Sequence, residues 1–432
     1  MKVLVIGSGG REHALCWKLR QSPQVDELYC APGNPGIAEV ADLVPIPADE
    51  IHQLADFAAD LKIDLTVVGP ELPLTLGIAD EFARRGLAIF GPKRQAAELE
   101  GSKVFAKEFM RRHNIPTADF GIAHDADGAR EIAARFGFPV VLKADGLASG
   151  KGVIIPKNEE ELEAALKIFF AERRFGSAGE RVVVEEFLVG EEISFTAICD
   201  GQFPLPLATA KDYKRLYDDD RGPNTGGMGS HSPAGVLGVG AGAQILDGIV
   251  RPTLAGLASE NREFVGVLYT GLVLTETGPK VLEYNVRFGD PETQALMLRL
   301  ETDLVPMLAQ AAGGRFETLR LKFRKEASAC IVLASKGYPE KAIKGEIITG
   351  IEEASALEGV EIFHGSTALK NGKLVAAGGR VLNVCATGPQ LRDALRKVYK
   401  AVGLIQWPSR ILRHDIGKRV LELVEKSGGQ QG

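Results

Sequence analysis

The sequence predicts a multidomain protein that combines an α/β part with α+β parts. Its 432 residues are more than a single hydrophobic core usually organises. Up to about residue 100, short apolar strands alternate with helical stretches, which is typical of βαβ units and a parallel sheet. After Gly101 short strands and glycine-rich turns dominate, and a smaller strand-rich tail begins near Glu326. We therefore expect domains at residues 1–101, 102–325 and 326–432.

Each domain is predicted from its own run of elements. The first contains, in order, the strand KVLVIG, the helix EHALCWKLRQS, the strand ELYCAPG, the helix IHQLADFAADLKI, the strand DLTVVGP, the helix IADEFARRGL and the strand AIFGP. The second begins with the helix GSKVFAKEFMRRHNI, followed by the strand pairs in PVVLKADGLASGKGVIIP and RVVVEEFLVGEEISFTAICD. The third contains the strands ASACIVLAS, VEIFHGS and GGRVLNVCATG and one helix, QLRDALRKVYKAVGL.

The composition excludes several classes of function. The formal net charge is -6, so no electrostatic attraction to nucleic acid or to an anionic membrane is expected. The five cysteines are scattered without a C-x-x-C pair, which indicates buried thiols in a reducing compartment. The chain opens directly on a strand, and no apolar run reaches membrane-spanning length. We expect a cytoplasmic protein.

The first glycine loop, "GSGGREH", is not a dinucleotide fingerprint. Gly7 and Gly9 fit the G-x-G-x-x-G spacing, but Glu12 occupies the position of the third glycine. The following strand ends in Cys30, Ala31 and Pro32, where an acidic residue would hold a ribose. Either the loop binds an anion through its N–H groups at a helix N-terminus, with Arg11 adjacent, or it is a tight turn without a ligand.

The second glycine loop, "GLASGKG" (146–152), does not match the Walker A motif. Three residues separate Gly146 from Gly150, Gly152 stands where a hydroxyl is needed, and a strand follows. A hairpin flap that folds over a polyphosphate fits better, with Lys143 on the preceding strand facing the anion. A flexible hairpin with a lysine that reaches solvent explains the same residues.

Two acidic strands suggest further contacts. Glu185 and Glu186 follow three valines and open onto a short hinge, whose free backbone groups suit an adenine edge. Glu192 on the next strand could accept hydrogen bonds from ribose hydroxyls. An acidic surface turn is the alternative for these glutamates.

The strand "VLEYNVRFGDPET" (281–293) carries the strongest local signal. Glu283, Asn285 and Arg287 alternate with apolar residues and therefore share one strand face. Carboxylate and amide oxygens suit Mg²⁺, and a guanidinium can hold a phosphate or carboxylate with two hydrogen bonds. A row of ion pairs explains the charges less well, because Asn285 contributes nothing to it.

These features together resemble the ATP-grasp ligases. The motifs that carry the resemblance are Lys143 on a strand, the glycine flap, the hinge E-x-x-L-x-G-x-E and the E-x-N strand. "RFGDPET", "GPNTGGMG" (222–229), "GSGGREHAL" and "RHDIG" (413–417) narrow it to the phosphoribosylamine–glycine ligase family, and they span the chain from Gly7 to Gly417. The resemblance implies a Rossmann-like substrate-binding domain, a central ATP-grasp domain with a flap subdomain at about 117–192, and a small C-terminal domain.

The resemblance also implies an activity. Glycine is joined to 5-phosphoribosylamine with ATP and Mg²⁺, with Mn²⁺ able to substitute, in purine biosynthesis. The partners are these small molecules, with no nucleic acid and no membrane, and the protein is expected to be a monomer.

Two alternative functions stay open. One is another ATP-grasp ligase, which should lack "RFGDPET" together with "GPNTGGMG". The other is a non-catalytic nucleotide-binding protein, against which the metal pair and both lysines argue.

Residue roles follow from the resemblance. ATP is expected to contact Lys103, Lys143, Gly146, Ser149, Gly150, Lys151, Gly152, Glu185, Glu186, Leu188 and Glu192. Mg²⁺ is expected on Glu283 and Asn285, and the catalytic set is Arg287, Lys143 and Asp212. The substrates are expected to contact Gly9, Gly10, Arg11, Glu12, Asp212, Asn224, Gly226, Gly227, Arg287 and Pro291, with the sugar phosphate on the first four.

Overall fold

The structure is a computed structural model that describes residues 1–147, 152–235, 237, 240–316 and 321–428. Ser149, Gly150 and Lys151 of the second glycine loop lie outside the described residues. Within the described parts of the chain, no helix combines the length and the apolar character that crossing a bilayer requires.

A parallel sheet forms the N-terminal domain, as the sequence predicts. Its strands lie in the order β3-β2-β1-β4-β5. The strands β1 and β4 are almost wholly buried because helices cover a parallel sheet on both faces. The strands are β1 (Lys2–Gly7), β2 (Glu27–Pro32), β3 (Asp42–Leu43), β4 (Leu65–Val68) and β5 (Ile89–Phe90). The helices are α1 (Gly10–Arg20), α2 (Ile51–Asp60), α3 (Glu71–Leu76), α4 (Ile78–Arg84) and α5 (Arg94–Gly101), with a 3₁₀ turn at Ile37–Glu39.

Two antiparallel sheets form the central part of the chain. One, in the order β6-β9-β7-β8, contains the predicted strand pair on either side of the second glycine loop, and the other has the order β11-β10-β16-β17. The strands are β6 (Phe120–Ala123), β7 (Val140–Ala144), β8 (Val153–Ile154), β9 (Val182–Glu186), β10 (Glu191–Asp200), β11 (Pro204–Pro206), β12 (Lys211–Asp212), β13 (Arg215–Tyr217), β14 (Arg221–Asn224), β15 (Gly229–Ser232), β16 (Val265–Thr275) and β17 (Gly278–Asn285).

Helices flank these central sheets. They are α6 (Lys103–Arg112), α7 (Ala126–Phe136), α8 (Glu159–Leu166), α9 (Ala241–Ile245), α10 (Arg251–Ser259), α11 (Glu292–Arg299) and α12 (Leu304–Ala312). The helical path also includes π-helical segments at Lys167–Ala171 and Leu246–Val250 and a 3₁₀ turn at Gly176–Gly179. Ser102 caps α6, because its side chain accepts a hydrogen bond from the Phe105 N–H at 3.0 Å. Lys103 is therefore held at the first position of a well-defined helix.

The C-terminal sheet takes strands from two distant parts of the chain. Its order is β12-β15-β18-β22-β19, with β23 beside β18, so β12 and β15 join it from before residue 325. The remaining strands are β18 (Ala327–Ser335), β19 (Val360–His364), β20 (Thr367–Lys370), β21 (Lys373–Ala376), β22 (Arg380–Gly388) and β23 (Arg410–Ile411). The helices are α13 (Ile351–Ser355), α14 (Leu391–Leu404) and α15 (Lys418–Gly428).

The C-terminal part is richer in helix than the sequence predicts. The expected helix is present as α14, but α13 and α15 were not expected. The segment that forms α13 is only five residues long, which is too short for helical periodicity to be visible. The domain boundaries at residues 101 and 325 remain a prediction.

Candidate functional site

A cavity of about 1100 Å³ lies where the three parts of the chain meet. Its wall includes the first glycine loop, the strand β7 and the hinge after β9, and the strand β17. The predicted residues on the wall are Gly9, Gly10, Arg11, Lys103, Lys143, Gly146, Gly152, Glu185, Glu186, Leu188, Glu192, Asp212, Asn224, Gly226, Glu283, Asn285 and Arg287. The wall does not include Glu12, Gly227 or Pro291.

The strand β17 presents Glu283 and Asn285 to the cavity, as its alternation predicts. The Nζ of Lys214 lies 2.8 Å from the Glu283 carboxylate and holds the pKa of Glu283 well below its usual range. The Asn285 side-chain oxygen accepts a hydrogen bond from Arg287 at 3.1 Å. Glu283 is therefore ionised, and the two side chains offer one charged and one neutral oxygen ligand.

These two oxygens form an incomplete ligand set for a metal. Among the described residues, no group of three or more His, Cys, Asp or Glu side chains could hold a metal ion. Mg²⁺ is commonly bound by one or two protein oxygens together with water and substrate phosphate. The donor set on β17 thus fits Mg²⁺ that arrives with a phosphate ligand.

Arg287 connects this strand to the N-terminal domain. Its guanidinium lies 3.0 Å from the Glu100 carboxylate and 3.2 Å from that of Glu71. Glu100 is 3% exposed, and its other oxygen accepts a hydrogen bond from the Val286 N–H at 2.7 Å. Arg287 is held in place by both acids and still faces the cavity.

Lys143 and Glu185 form a buried ion pair at the cavity wall. The Nζ of Lys143 lies 2.9 Å from the Glu185 carboxylate and donates a hydrogen bond to the Leu282 carbonyl at 2.9 Å. The side chain of Glu185 is therefore occupied by a lysine and is not a free acidic group at the hinge. Any contact of this residue with an adenine would use its backbone.

Glu12 lies behind the first glycine loop, although a substrate contact was expected there. Its carboxylate accepts hydrogen bonds from the Gly9 N–H at 2.6 Å and from the Arg11 side chain at 2.5 Å. Arg11 also donates a hydrogen bond to the Phe288 carbonyl at 3.1 Å. Glu12 thus stabilises the loop, and a phosphate would meet Gly10 and the guanidinium of Arg11 instead.

The C-terminal strand β22 packs directly against this loop. A side chain at Gly10 would place its Cβ 2.0 Å from the Asn383 amide nitrogen, so any larger residue there would require the Asn383 side chain to move. The same strand begins with Arg380, which donates hydrogen bonds to the Gly226 carbonyl at 2.7 Å and to the Asp290 carboxylate at 2.9 Å. Arg380 therefore joins the "GPNTGGMG" loop to the segment after β17.

Gly227 and Pro291 contact each other behind the wall, which explains why neither faces the cavity. A Cβ at Gly227, whose φ is +110°, would lie 2.4 Å from the Pro291 ring. The Pro291 carbonyl accepts a hydrogen bond from the Ser230 hydroxyl at 2.9 Å. These two residues pack one loop against the other, and their predicted contacts with the substrates remain a prediction.

Asp212 is a buried acid on the wall. Burial and the nearby Glu292 carboxylate raise the pKa of Asp212 well above its usual range. Its Oδ1 atom has no hydrogen-bond partner among the described residues. A buried acceptor without a partner is costly, so this oxygen is available for a ligand.

Comparisons with known proteins match the chain along most of its length. The description "Phosphoribosylglycinamide synthetase, ATP-grasp (A) domain" matches residues 101–293, and those of the N and C domains of this synthetase match 1–100 and 328–419. The phosphoribosylamine–glycine ligase of Brucella melitensis biotype 1 is 49% identical over 422 residues, covering 98% of this chain and 99% of that protein. The chain belongs to the phosphoribosylglycinamide synthetase family.

Other relatives agree with this membership. The phosphoribosylamine–glycine ligase of Pseudomonas aeruginosa is 47% identical over 424 residues, covering 98% of each chain. The crystal structure of the Thermotoga maritima phosphoribosylamine–glycine ligase is 35% identical with a TM-score of 0.81, covering 96% of this chain and all of that one. The biotin carboxylase domain of a Hydrogenobacter thermophilus 2-oxoglutarate carboxylase has a TM-score of 0.71 at 18% identity, covering 95% of this chain and 91% of that one, and shares the fold alone.

Sequence reasoning missed several residues of this synthetase-family site. Lys214 lies in "KDYKR", two residues after Asp212, and could have been proposed as a partner of a carboxylate. Arg380 and Glu100 carry no local signal, because each reaches the site only through the packing of a distant element. A single sequence does not show such pairs.

The motif "RHDIG" of this synthetase-family chain holds the acidic turn that precedes the "GPNTGGMG" loop. Arg413 is 1% exposed and pairs with Asp220 and Asp415, each at 2.7 Å. Its guanidinium also donates a hydrogen bond to the Arg215 carbonyl at 3.2 Å, and Asp415 accepts one from the Asp219 N–H at 2.9 Å. The motif therefore positions the hairpin of β13 and β14 from almost 200 residues away.

We expect Arg413→Met to loosen this hairpin. Losing hydrogen bonds to charged groups should lower the free energy of unfolding by about 1.5–3 kcal/mol. Hydrogen exchange of residues 212–228 should become faster, because those residues lose their attachment to the motif. Denaturant titration and hydrogen exchange measure the two effects.

The matched control is Arg392→Met. Arg392 pairs with Glu425 on the surface, where both side chains are 62% exposed. Its loss should change the free energy of unfolding by less than about 0.5 kcal/mol. Equal effects of the two substitutions would contradict the role given to Arg413.

Proposed function

We propose that the chain catalyses the ATP-dependent ligation of glycine to 5-phosphoribosylamine, which gives glycinamide ribonucleotide, ADP and phosphate in de novo purine biosynthesis. Family membership supports this activity. The main observation in support of this activity is that the first glycine loop, Lys103, Lys143 and the strand β17 line the same cavity. One cavity can therefore hold a sugar phosphate, a nucleotide and a metal together.

The nucleotide is held by the wall between β7 and the hinge. Lys103 and Lys143 neutralise the phosphates of the nucleotide. The hinge from Glu185 to Leu188 reads the adenine edge, and Glu192 accepts hydrogen bonds from the ribose. These assignments are supported by the position of all five residues on one cavity wall.

Glu283 and Asn285 hold Mg²⁺, and we include Mn²⁺ as a substitute in the proposal. The bound ion neutralises charge on the phosphate groups of the nucleotide. Glu283 remains charged for this role because Lys214 stabilises its carboxylate. Lys214 thereby acts on the metal site without being a ligand.

The reaction proceeds in two steps. The carboxylate of glycine attacks the γ-phosphate of ATP, which forms glycyl phosphate and releases ADP. The nitrogen of the ribosylamine then attacks the acyl carbon, and phosphate leaves. Arg287 stabilises negative charge on the transferred phosphoryl group or the glycine carboxylate. The attacking amine loses a proton as the amide forms, and Asp212, whose raised pKa makes its carboxylate a stronger base, accepts that proton.

The proposed function is tested by ADP release with each substrate omitted in turn. We expect turnover only when ATP, Mg²⁺, glycine and the ribosylamine are all present. Turnover with another carboxylate or amine in place of these substrates would favour a different ATP-grasp ligase. Binding of ATP without turnover would favour a non-catalytic nucleotide-binding protein. The monomeric state and the cytoplasmic location remain predictions.

Arg11→Ala should raise the KM for the ribosylamine and leave the KM for ATP nearly unchanged. Arg11 lies at the sugar-phosphate end of the cavity, so its loss removes one charge-assisted contact worth about 1.5–3 kcal/mol. Steady-state kinetics with each substrate varied in turn measure the effect. An equal rise in both KM values would contradict the assignment, and tight binding of NAD to the wild type would restore the dinucleotide interpretation of the loop.

A further inference from the structure

Lys107 is a buried charge that the proposed reaction does not use. It lies on α6, one helical turn after Lys103, and is 2% exposed. It is not part of the cavity wall. A lysine is almost never buried to this extent without a specific partner.

Its partner is Glu185, which Lys143 contacts from the other side. The Nζ of Lys107 lies 2.9 Å from one carboxylate oxygen of Glu185, and the Nζ of Lys143 lies 2.9 Å from the other. Lys107 also donates a hydrogen bond to the Thr117 hydroxyl at 2.7 Å. One carboxylate, 1% exposed, therefore stands between a lysine outside the cavity and a lysine on its wall.

The charges of the triad formed by Lys107, Glu185 and Lys143 do not cancel. Two ammonium groups and one carboxylate leave one positive charge. Burial lowers the pKa of Lys107 to about 8, against the opposing effect of Glu185, so most of Lys107 stays protonated at pH 7. Burial alone would raise the pKa of Glu185, but Lys143 and Lys107 together bring it below its ordinary value.

The extra positive charge of the triad determines whether Lys143 can leave Glu185 to bind an anion. A buried carboxylate that loses its only cation is strongly unfavourable. If Glu185 had Lys143 alone, the pair would be neutral, and Lys143 could turn to an anion only by leaving that carboxylate unpaired. With Lys107 in place, Glu185 keeps a cation whichever way Lys143 points.

We infer that Lys107 is a positioning residue that neutralises Glu185 and so leaves the charge of Lys143 available to the phosphates of a nucleotide. The inference rests on the proposed function, because it requires that ATP binds at this wall. It gives Lys107 a role in nucleotide affinity without contact with the nucleotide.

Equilibrium binding of a non-hydrolysable ATP analogue tests the inference, with adenosine as the ligand that lacks phosphate. Lys107→Met should raise the Kd of the analogue about tenfold, because Lys143 then stays with Glu185 and its contact with the phosphates is lost. The Kd of adenosine, which has no phosphate, should be unchanged. A purely structural role of Lys107 would weaken the binding of both ligands alike.

The double variant Lys107→Met with Glu185→Gln provides the decisive comparison. It removes one positive and one negative charge, which returns the net charge of the triad to that of the wild type. Glu185→Gln leaves in place the backbone through which this residue would contact adenine, so we expect the Kd of the double variant for the analogue to lie within about threefold of the wild-type value. Should Lys107→Met not fold, a double variant whose Kd for the analogue is raised tenfold or more would overturn the inference by itself.

Lys18→Met is the matched control for losing a buried lysine. Lys18 is 7% exposed and donates a hydrogen bond to the Leu300 carbonyl, outside the cavity wall. This variant should bind the analogue like the wild type.

Three results would overturn the inference alone: an unchanged Kd in Lys107→Met, equal losses for adenosine and the analogue, or a double variant as weak as the single one. A wild type that binds no analogue would overturn the proposed function as well.

Discussion

Replacing Glu283 by glutamine is expected to lower the rate constant of ligation by about 10²–10³-fold, as is usual when a group that stabilises transition-state charge is lost. Glutamine keeps the shape of the side chain and an acceptor for Lys214, which lies 2.8 Å from the carboxylate. It removes the negative charge that a metal ligand on β17 supplies. Glycine-dependent ADP release, measured over a range of Mg²⁺ concentrations, should show both a lower rate and a higher Mg²⁺ requirement.

The control for this substitution lies on the same hairpin. Glu276 is exposed in the turn between β16 and β17, so Glu276→Gln should leave turnover and thermal unfolding unchanged. Glu283→Gln should also fold, although its unfolding temperature should fall somewhat because Lys214 keeps only a neutral partner. Near-normal turnover of Glu283→Gln at ordinary Mg²⁺ would remove Glu283 from the metal site.

Arg287→Met is expected to impair both activity and stability. Turnover should fall by about 10²–10³-fold, since a fixed positive charge at the reacting groups is lost. The free energy of unfolding should fall by about 3–5 kcal/mol, because Glu100, 3.0 Å away, becomes a buried carboxylate without its cation. Glycine-dependent ADP release and denaturant titration measure the two quantities separately.

A second substitution separates these two effects. Glu100→Gln combined with Arg287→Met removes the more deeply buried of the two carboxylates that lose this cation, so most of the lost stability should return. Turnover should stay low, because the guanidinium is still missing from the cavity wall. Recovery of turnover together with stability would mean that Arg287 only supports the fold.

Local patterns were sufficient to predict the parts of the molecule that depend on nearby residues. The strands β1 and β4 are apolar runs between helical stretches, and the structure buries both. The alternation along β17 placed Glu283 and Asn285 on one face, and both reach the cavity. Side-chain direction in a strand depends only on position along the chain, so a sequence is enough to predict it.

The partners of these side chains could not be predicted in the same way. Glu12 was expected to face a substrate, yet its carboxylate is taken up by the Gly9 N–H and the Arg11 side chain. Glu185 was expected at the hinge, and two lysines hold its side chain. The cation that pairs with a given carboxylate is determined by tertiary packing. A sequence with many lysines and arginines does not show which of them it is.

The pairing of β15 with β18 also determines when this sheet can form during protein synthesis. Ser230 pairs with Cys330, which lies 100 positions later in the chain. At about 5–20 residues per second, a ribosome needs roughly 5–20 s to supply that partner strand. Until then the edge of β15 has no neighbour from β18, and an unpaired edge is a template for association with other chains. The nascent chain therefore completes the wall of its cavity only after β18 and β22 have been synthesised, and until then the edge of β15 is open to association with other chains.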